Sequence, residues 1–488
     1  MSSDPDIVQP IVIGKGSYGC VHKPPMKCKR STRKKGTVSK LMTRYDATKE
    51  LSEFGYITRA DTKKSTYLGK PTICDVSETD ANRLAIDRCN DTRKYDSSEL
   101  DKYALLVMKD GGQDLEQFAD DVYNNWANTP TNRTKIELFW LEVSRLFYGL
   151  TVFNENGLMH HDLKPQNIVY NSSTNRLNYI DFGFMTRKAD VVQMAKTSQY
   201  WSSTPHWSFP WENPLLNKDA YTSAVNKNSK NNIAYYNKIS KDIWTTYSVF
   251  FEYILPVGIN AEQSGIAKNM INTYQVMLTE CEHPDYDKFL HKSMDTTDSY
   301  GVGIALLYVL NRTIKFMSLE LFSKLKYLFS NMISPNLYAR HDVDTLSAEY
   351  ETIMIESGLL DKHKKQYVNH ILTKGNQLPA SVISFTKELV TTDNTPTLEQ
   401  MTPKALSISP ICPAGKEYNP ISKRCVKKCN NGYKRSEKFR CVKDASYVPC
   451  PNGKDRNPIT RRCVKACKAG FLRDKTYKCR KAGNPFDE

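Results

Sequence analysis

Two short runs constrain this chain more than anything else in it: His160-His161-Asp162-Leu163-Lys164-Pro165-Gln166-Asn167 and Asp181-Phe182-Gly183. An Asp, a Lys two residues on, an Asn five on and a second Asp nineteen on form a layout suited to moving a phosphoryl group. Asp162 can accept the proton of an attacking hydroxyl, and Asn167 and Asp181 can hold a Mg²⁺ ion against phosphates. Lys164 lies close enough to Asp162 to set a positive charge where negative charge builds during transfer. A chance polar loop between two strands would supply one of these groups, not all four.

These runs resemble the catalytic loop and the Asp-Phe-Gly turn of protein kinases, and Lys164-Pro165 after Asp162-Leu163 resembles the Ser/Thr branch. The resemblance covers about residues 10–360. It implies an α+β, bilobal fold that uses ATP and Mg²⁺ and acts on Ser/Thr hydroxyls of protein substrates. Residues 7–114 are expected to form the small lobe and 115–375 the large lobe.

Other positions follow the same order. Gly14, Gly16 and Gly19 with Val21 follow an apolar strand, and Cys20-Val21-His22 reads as a returning strand. A dinucleotide site would open a helix there. The reading is therefore a glycine-rich loop whose backbone approaches ATP phosphates, against the alternative of an ordinary glycine hairpin. Thr37 to Met42 reads as a strand, with Lys40 placed to pair the phosphates. Leu51, Phe54 and Ile57 recur every three residues across a helix at 46–60. Glu50 on it is chosen as the partner of Lys40, with Glu53 the alternative.

Strands are expected at 67–75 and 103–108, separated by a polar insertion. Met108 is expected behind the nucleotide, Lys109 to Gly112 as the hinge, and Asp114 near the ribose. A single helix is expected over 136–155, ended by Asn156-Gly157, with a hairpin of 168–170 and 177–180 after the catalytic loop. Kinases that await phosphorylation of the activation segment usually carry Arg where this chain has His161, so phosphate-independent activity is expected. Glu212 is expected to anchor that segment through Arg340. Asp298, in an Asp-Ser-Tyr-Gly run, is expected to steady the catalytic loop, with Asp242 as rival. On that reading 215–297 is an insertion of unusual length.

The basic charge of the chain is concentrated at one end. Residues 411–488 hold 21 Lys and Arg against 7 Asp and Glu, while the other 410 residues hold 48 against 46. Such a tail favours an acidic protein or a phosphate-bearing partner. Nucleic acid is the weaker candidate, because the tail lacks the aromatic density of a base-stacking surface. The basic run Lys27 to Lys35 reads as a solvated hairpin tip. The longest apolar run, 249–257, is short and broken by Glu252 and Pro256, and residues 1–10 are polar, so neither a membrane span nor a signal peptide is expected.

Eight of the 13 cysteines lie in the tail. Cys412, Cys425, Cys429 and Cys441 recur 38 residues later as Cys450, Cys463, Cys467 and Cys479. A linker is expected at 376–410, then repeats at 411–448 and 449–481. Units this small need a covalent or metal staple. Disulfides and zinc both answer the spacing; the absence of His and of C-x₂-C pairs tilts the reading to disulfides, a reducing cytosol tilts it back. The repeat resembles the 2-cysteine adaptor of large nucleocytoplasmic DNA viruses. Together with the kinase-like body it looks like an iridovirus-type viral kinase, which implies a virion or host-cytoplasm location and a protein-docking tail.

Overall fold

The computed structural model describes residues 8–16, 19–89, 95–200, 206–225, 248–261, 264–279 and 285–364, and short strands between 416 and 481. The chain forms two compact units, Met1–Val390 and Thr391–Glu488.

The first unit opens with β1 (Ile11–Gly16), β2 (Gly19–Lys23), β3 (Thr37–Thr43), α1 (Arg44–Ala60), β4 (Thr72–Asp75), α2 (Asp80–Cys89) and β5 (Tyr103–Lys109). The five strands make one antiparallel sheet in the order β1-β2-β3-β5-β4. Side chains alternate across a strand, so β3 and β5 serve two cores at once. Met42, Ala104 and Leu106 pack with Ala47 of α1, whereas Leu41 and Leu105 pack with Ala85 and Ile86 of α2.

Two expectations change here. The strand expected over 67–75 is confined to Thr72–Asp75, because Tyr67 instead bridges Tyr179. The polar insertion contains α2, whose buried face of Asn82, Ala85, Ile86 and Cys89 has helical spacing. Disulfides Cys20–Cys89 and Cys28–Cys74 tie this region to the start of the sheet. Closing loops of 69 and 46 residues, they each stabilise the fold by about 4 kcal/mol on the chain-entropy model.

The helical part follows: β6 (Gln113–Asp114), α3 (Leu115–Asn125), α4 (Pro130–Glu142), α5 (Ser144–Glu155), β7 (Leu158–Met159), β8 (Ile168–Asn171), β9 (Arg176–Tyr179), β10 (Thr186–Arg187) and α6 (Lys188–Lys196). Then come α7 (Lys218–Val225), α8 (Ser248–Ile254), α9 (Ile266–Thr279), α10 (Tyr286–Thr313), α11 (Leu319–Met332) and α12 (Val343–Glu356). The helix expected over 136–155 starts earlier and is divided. Thr129 caps the Asn132 N–H and Pro130 takes the first turn, where its missing donor costs nothing. At Val143 the backbone tightens, with Leu146 N bonding Val143 O three residues back. Glu142 is anchored there, buried against Arg145 and accepting the Leu177 N–H.

Helix α10 is the axis of the helical part and is buried along most of its 28 residues. A Cβ at Gly301 would lie 2.2 Å from the Leu163 carbonyl oxygen, so only glycine lets α10 approach the catalytic loop this closely. Because α10 begins at Tyr286, the segment 286–297 belongs to the helix that carries Asp298 and not to the insertion. The rival, Asp242, and the 376–410 linker lie outside the described residues.

In the second unit, four two-stranded hairpins are described. β11 (Lys416–Asn419) pairs with β12 (Arg424–Lys427), and β13 (Tyr433–Arg435) with β14 (Cys441–Lys443). β15 (Lys454–Arg456) then pairs with β16 (Cys463–Lys465), and β17 (Phe471–Arg473) with β18 (Cys479–Lys481). Cys441 is disulfide-bonded. No helix among the described residues is long and apolar enough to cross a membrane.

Candidate active site

Strand β3, the helix α1 that follows it and the distant Asp181 converge on one lysine. Lys40 shares its face of β3 with Met42, which points it at α1. On α1 the buried positions Ala47, Glu50, Phe54 and Ile57 form one stripe, so Glu50 faces inward. Lys40 Nζ donates to Glu50 Oε2 at 2.8 Å and to Asp181 Oδ1 at 3.1 Å. Of the two candidate glutamates, the one that reaches Lys40 is Glu50.

The catalytic loop is held by its backbone. Asp298 accepts the His160 N–H at 2.7 Å and the His161 N–H at 2.9 Å. His161 sits at φ 65°, a left-handed conformation that costs energy in a non-glycine residue and persists here because Asp298 grips both amides. Around the loop's carboxylate, Lys164 Nζ donates to both Asp162 oxygens at 2.9 and 2.8 Å. Asn167 Nδ2 donates to Asp162 Oδ2 at 2.8 Å and to its carbonyl at 2.6 Å. Phe182 is buried edge-on against Phe54 at 5.1 Å, which links the Asp-Phe-Gly turn to the helix bearing Glu50.

Charge within this cluster is strongly coupled. Burial opposes the Lys40 charge, but Asp181 and Glu50 outweigh it and its pKa rises. Burial also opposes ionisation of Asp181, yet the Lys40 charge and hydrogen bond hold its carboxyl below the ordinary range. Glu50 is pushed up by burial, only partly relieved by Lys40. Glu53 is pushed up to about 7 by burial, helped by the neighbouring Glu50 and Asp181 charges, and its Oε2 has no hydrogen-bond partner among the described residues.

Because the Glu53 pKa is raised on folding, the folded chain holds a proton that the unfolded chain releases above its ordinary value of 4.5. Glu53 therefore costs stability progressively as pH rises from about 4.5 to about 7. Glu53→Gln is expected to melt at a higher temperature than wild type at pH 8 and at the same temperature at pH 4. Melting curves across that range check this; a pH-independent difference would contradict it.

The remaining sites are more dispersed. Gly14 lies opposite Val21 and Gly16 opposite Gly19 on the β1–β2 ribbon. A Cβ at Gly19 would meet the Leu41 carbonyl oxygen at 2.1 Å, so this glycine is required by packing on β3. Met108 packs beside Met42 and Ala47. Asp114 Oδ1 caps α3 through the Gln117 N–H, and its carboxyl is pushed up to about 6 by burial.

The segment that follows the Asp-Phe-Gly run carries two anchors. Glu212 and Arg340 form a fully buried two-point ion pair at 2.6 and 2.9 Å, with Ser293 donating to the same carboxylate. At the other anchor, His161 Nε2 lies 3.0 Å from the Tyr200 hydroxyl, which donates to Asn213 Oδ1 at 3.2 Å. Burial lowers the His161 pKa and favours the neutral ring.

Sequence reasoning missed the wall beside Asn167. Gln166 Nε2 donates to Glu116 Oε2 at 2.6 Å and to the Tyr253 hydroxyl at 2.7 Å; that hydroxyl donates to Glu116 Oε1 at 2.6 Å. Trp207 stacks on Tyr253 at 4.2 Å. Nothing in the spacing signals that Tyr253, 87 residues from Gln166, arrives there.

No family model matches this chain. Serine/threonine-protein kinase mos of Patiria pectinifera is 28% identical over 92 residues, which cover 19% of this chain and 24% of that protein. Glycogen synthase kinase 3 of Trypanosoma brucei brucei is 25% identical over 174 residues, covering 35% of this chain and 42% of that protein. The chain thus spans less than half the length of these curated relatives. The sheet-rich first part and helical second part are compatible with a kinase-like fold, and these distant homologues support a protein-kinase family.

Proposed function

We propose that the chain is a Ser/Thr protein kinase that transfers the ATP γ-phosphoryl group to protein hydroxyls. The observation that carries this reading is the convergence of Lys40 on Glu50 and Asp181 beside an Asp162 oriented by Lys164 and Asn167. Lys40, held by two carboxylates, is the cation that orients the nucleotide's phosphates, with the glycine ribbon above and Met108 and Asp114 toward the adenosine end. Asp162 takes the hydroxyl proton of the substrate, and Lys164 balances the charge that develops.

Asn167 Oδ1 and Asp181 Oδ2 accept no hydrogen bond from any described residue, and hard oxygen donors of this kind fit Mg²⁺. When bound, the ion would offset the negative charge of the phosphates. The small lobe is assigned to 7–114 and the large lobe to 115–375. The basic tail is assigned to docking an acidic protein or phosphate-bearing partner. The resemblance of its repeats to viral adaptors supports a viral enzyme of the virion or host cytoplasm.

A neutral, half-buried His161 bonded to Tyr200 takes the place of a phosphate-binding cation. Phosphatase-treated protein is therefore expected to keep its transfer to Ser and Thr, within about twofold of the untreated enzyme by initial rate. Loss of activity on treatment would contradict the role given to His161. Labelling confined to Tyr, or to a small molecule, would contradict the Ser/Thr protein kinase reading.

A further inference from the structure

The basic run that joins β2 to β3 also walls a cavity. A hollow of about 430 Å³ opens between residues 28–34 and the outer edge of β4, the end strand of the five-stranded sheet. Its floor is apolar, made by Pro25, Met26, Val107 and the Cys28–Cys74 disulfide. Val107 and Cys74 pack with the cluster that meets α2, so the cavity lies on the sheet face away from α1 and is separate from Lys40 and Glu50.

The walls carry four cations, Lys29, Arg30, Arg33 and Lys34, and one acid, Asp75. Asp75 is already paired with Arg44 at 3.0 Å. Lys29 reaches Glu78 at 3.5 Å, an exposed pair of little energetic weight. The side chains of Arg30 and Lys34 are exposed and take part in no hydrogen bond or ion pair among the described residues. Like charges crowded around a concave surface focus a positive potential there, and an anion relieves their repulsion.

The edge of β4 adds a directional element. β4 pairs with β5 on one side, and toward the other side the Asp75 carbonyl accepts the Lys29 N–H at 2.9 Å. Backbone groups of an antiparallel strand alternate between its two edges, so the Ile73 N–H and C=O share that outer edge with Asp75, where both residues line the cavity. An edge that offers both a donor and an acceptor matches an extended polypeptide, whereas phosphate groups bring acceptors alone.

We propose that this groove binds an acidic, extended segment of a partner protein, which continues the sheet beyond β4 and sets its carboxylates on Arg30 and Lys34. The inference stands on this geometry and not on the kinase reading.

The test uses the full chain and a short fluorescein-labelled peptide of alternating glutamate and valine, which in a strand puts every carboxylate on one face. Because the tail is also basic, wild type is compared with a variant that carries the same tail. Anisotropy is expected to show saturable binding, weakened about tenfold or more by the double substitution Arg30→Glu and Lys34→Glu. Both side chains are exposed, so the variant is expected to melt as wild type does. A peptide with proline in place of each valine keeps its charge but loses every second N–H, and is expected to bind wild type about tenfold more weakly. Equal affinity of the double variant and wild type would place all binding on the tail and overturn the proposal. Equal affinity of the two peptides, or stronger competition by an oligonucleotide of the same charge, would show recognition of charge alone and overturn it as well. Self-association of the chain that is lost in the double variant would assign the edge to a second copy, again against the proposal.

Discussion

Asp162→Asn is expected to lower kcat for phosphoryl transfer by about 10²–10⁴-fold, the range seen when a general base is removed. Two side chains define this carboxylate: Lys164 reaches both oxygens and Asn167 reaches one. An amide of the same shape would turn an NH₂ toward these donors, losing both the proton acceptor and the orientation of Lys164. Nucleotide affinity should change little, because Lys40 and its partners Glu50 and Asp181 make no hydrogen bond to Asp162. Steady-state rates with labelled ATP, beside a fluorescent-nucleotide titration, separate these effects. A variant retaining more than about a tenth of wild-type kcat would remove Asp162 from the base role.

Arg340→Ala is expected to destabilise the first unit by about 3–5 kcal/mol, the cost of stranding a buried charge. The Glu212 carboxylate is wholly buried and would lose both guanidinium bonds, keeping only Ser293. Arg340 Nε also donates to the Ser334 carbonyl at 2.8 Å, so that acceptor is orphaned too. All six tryptophans precede residue 390, which makes urea unfolding followed by Trp fluorescence a report on this unit alone. A shift under about 1 kcal/mol would place the pair among weak surface contacts. Activity should fall with stability, since the same pair anchors the segment proposed to be the activation segment.

How much of this was legible in the sequence depends on how local each signal is. The catalytic loop is a contiguous run whose groups serve one another, so Asp162, Lys164 and Asn167 meet as their spacing suggests. Lys40 and Glu50 needed only strand parity and helix periodicity, and both patterns are short-range. The partner of Glu212 was legible as well, as a late arginine.

Other features required tertiary information. Helix α2 hides in a stretch too polar to read as core, and its burial comes from the underside of the sheet and the Cys20–Cys89 disulfide. The division at Val143 reflects where Glu142 is anchored, which no periodicity encodes. The start of α10 at Tyr286 was obscured because its first three turns mix charged and apolar residues, although Asp285 caps it through the Asp287 and Lys288 N–H groups. The glycines divide similarly: Gly19 is needed against Leu41, a reason distinct from room for phosphate. Tyr253 stands furthest from sequence reasoning, since its role depends on how the segment before α10 folds back.

The most direct measurement is γ-phosphoryl transfer from labelled ATP, with Mg²⁺, to generic Ser- and Thr-containing proteins and to the chain itself. The wild-type full chain is compared with Asp181→Asn, which removes the carboxylate that pairs Lys40 and is proposed to hold Mg²⁺. Mg²⁺-dependent label on Ser or Thr in the wild type, absent in the variant, is the expected result. Equal background in both, across several substrates, would contradict the kinase account.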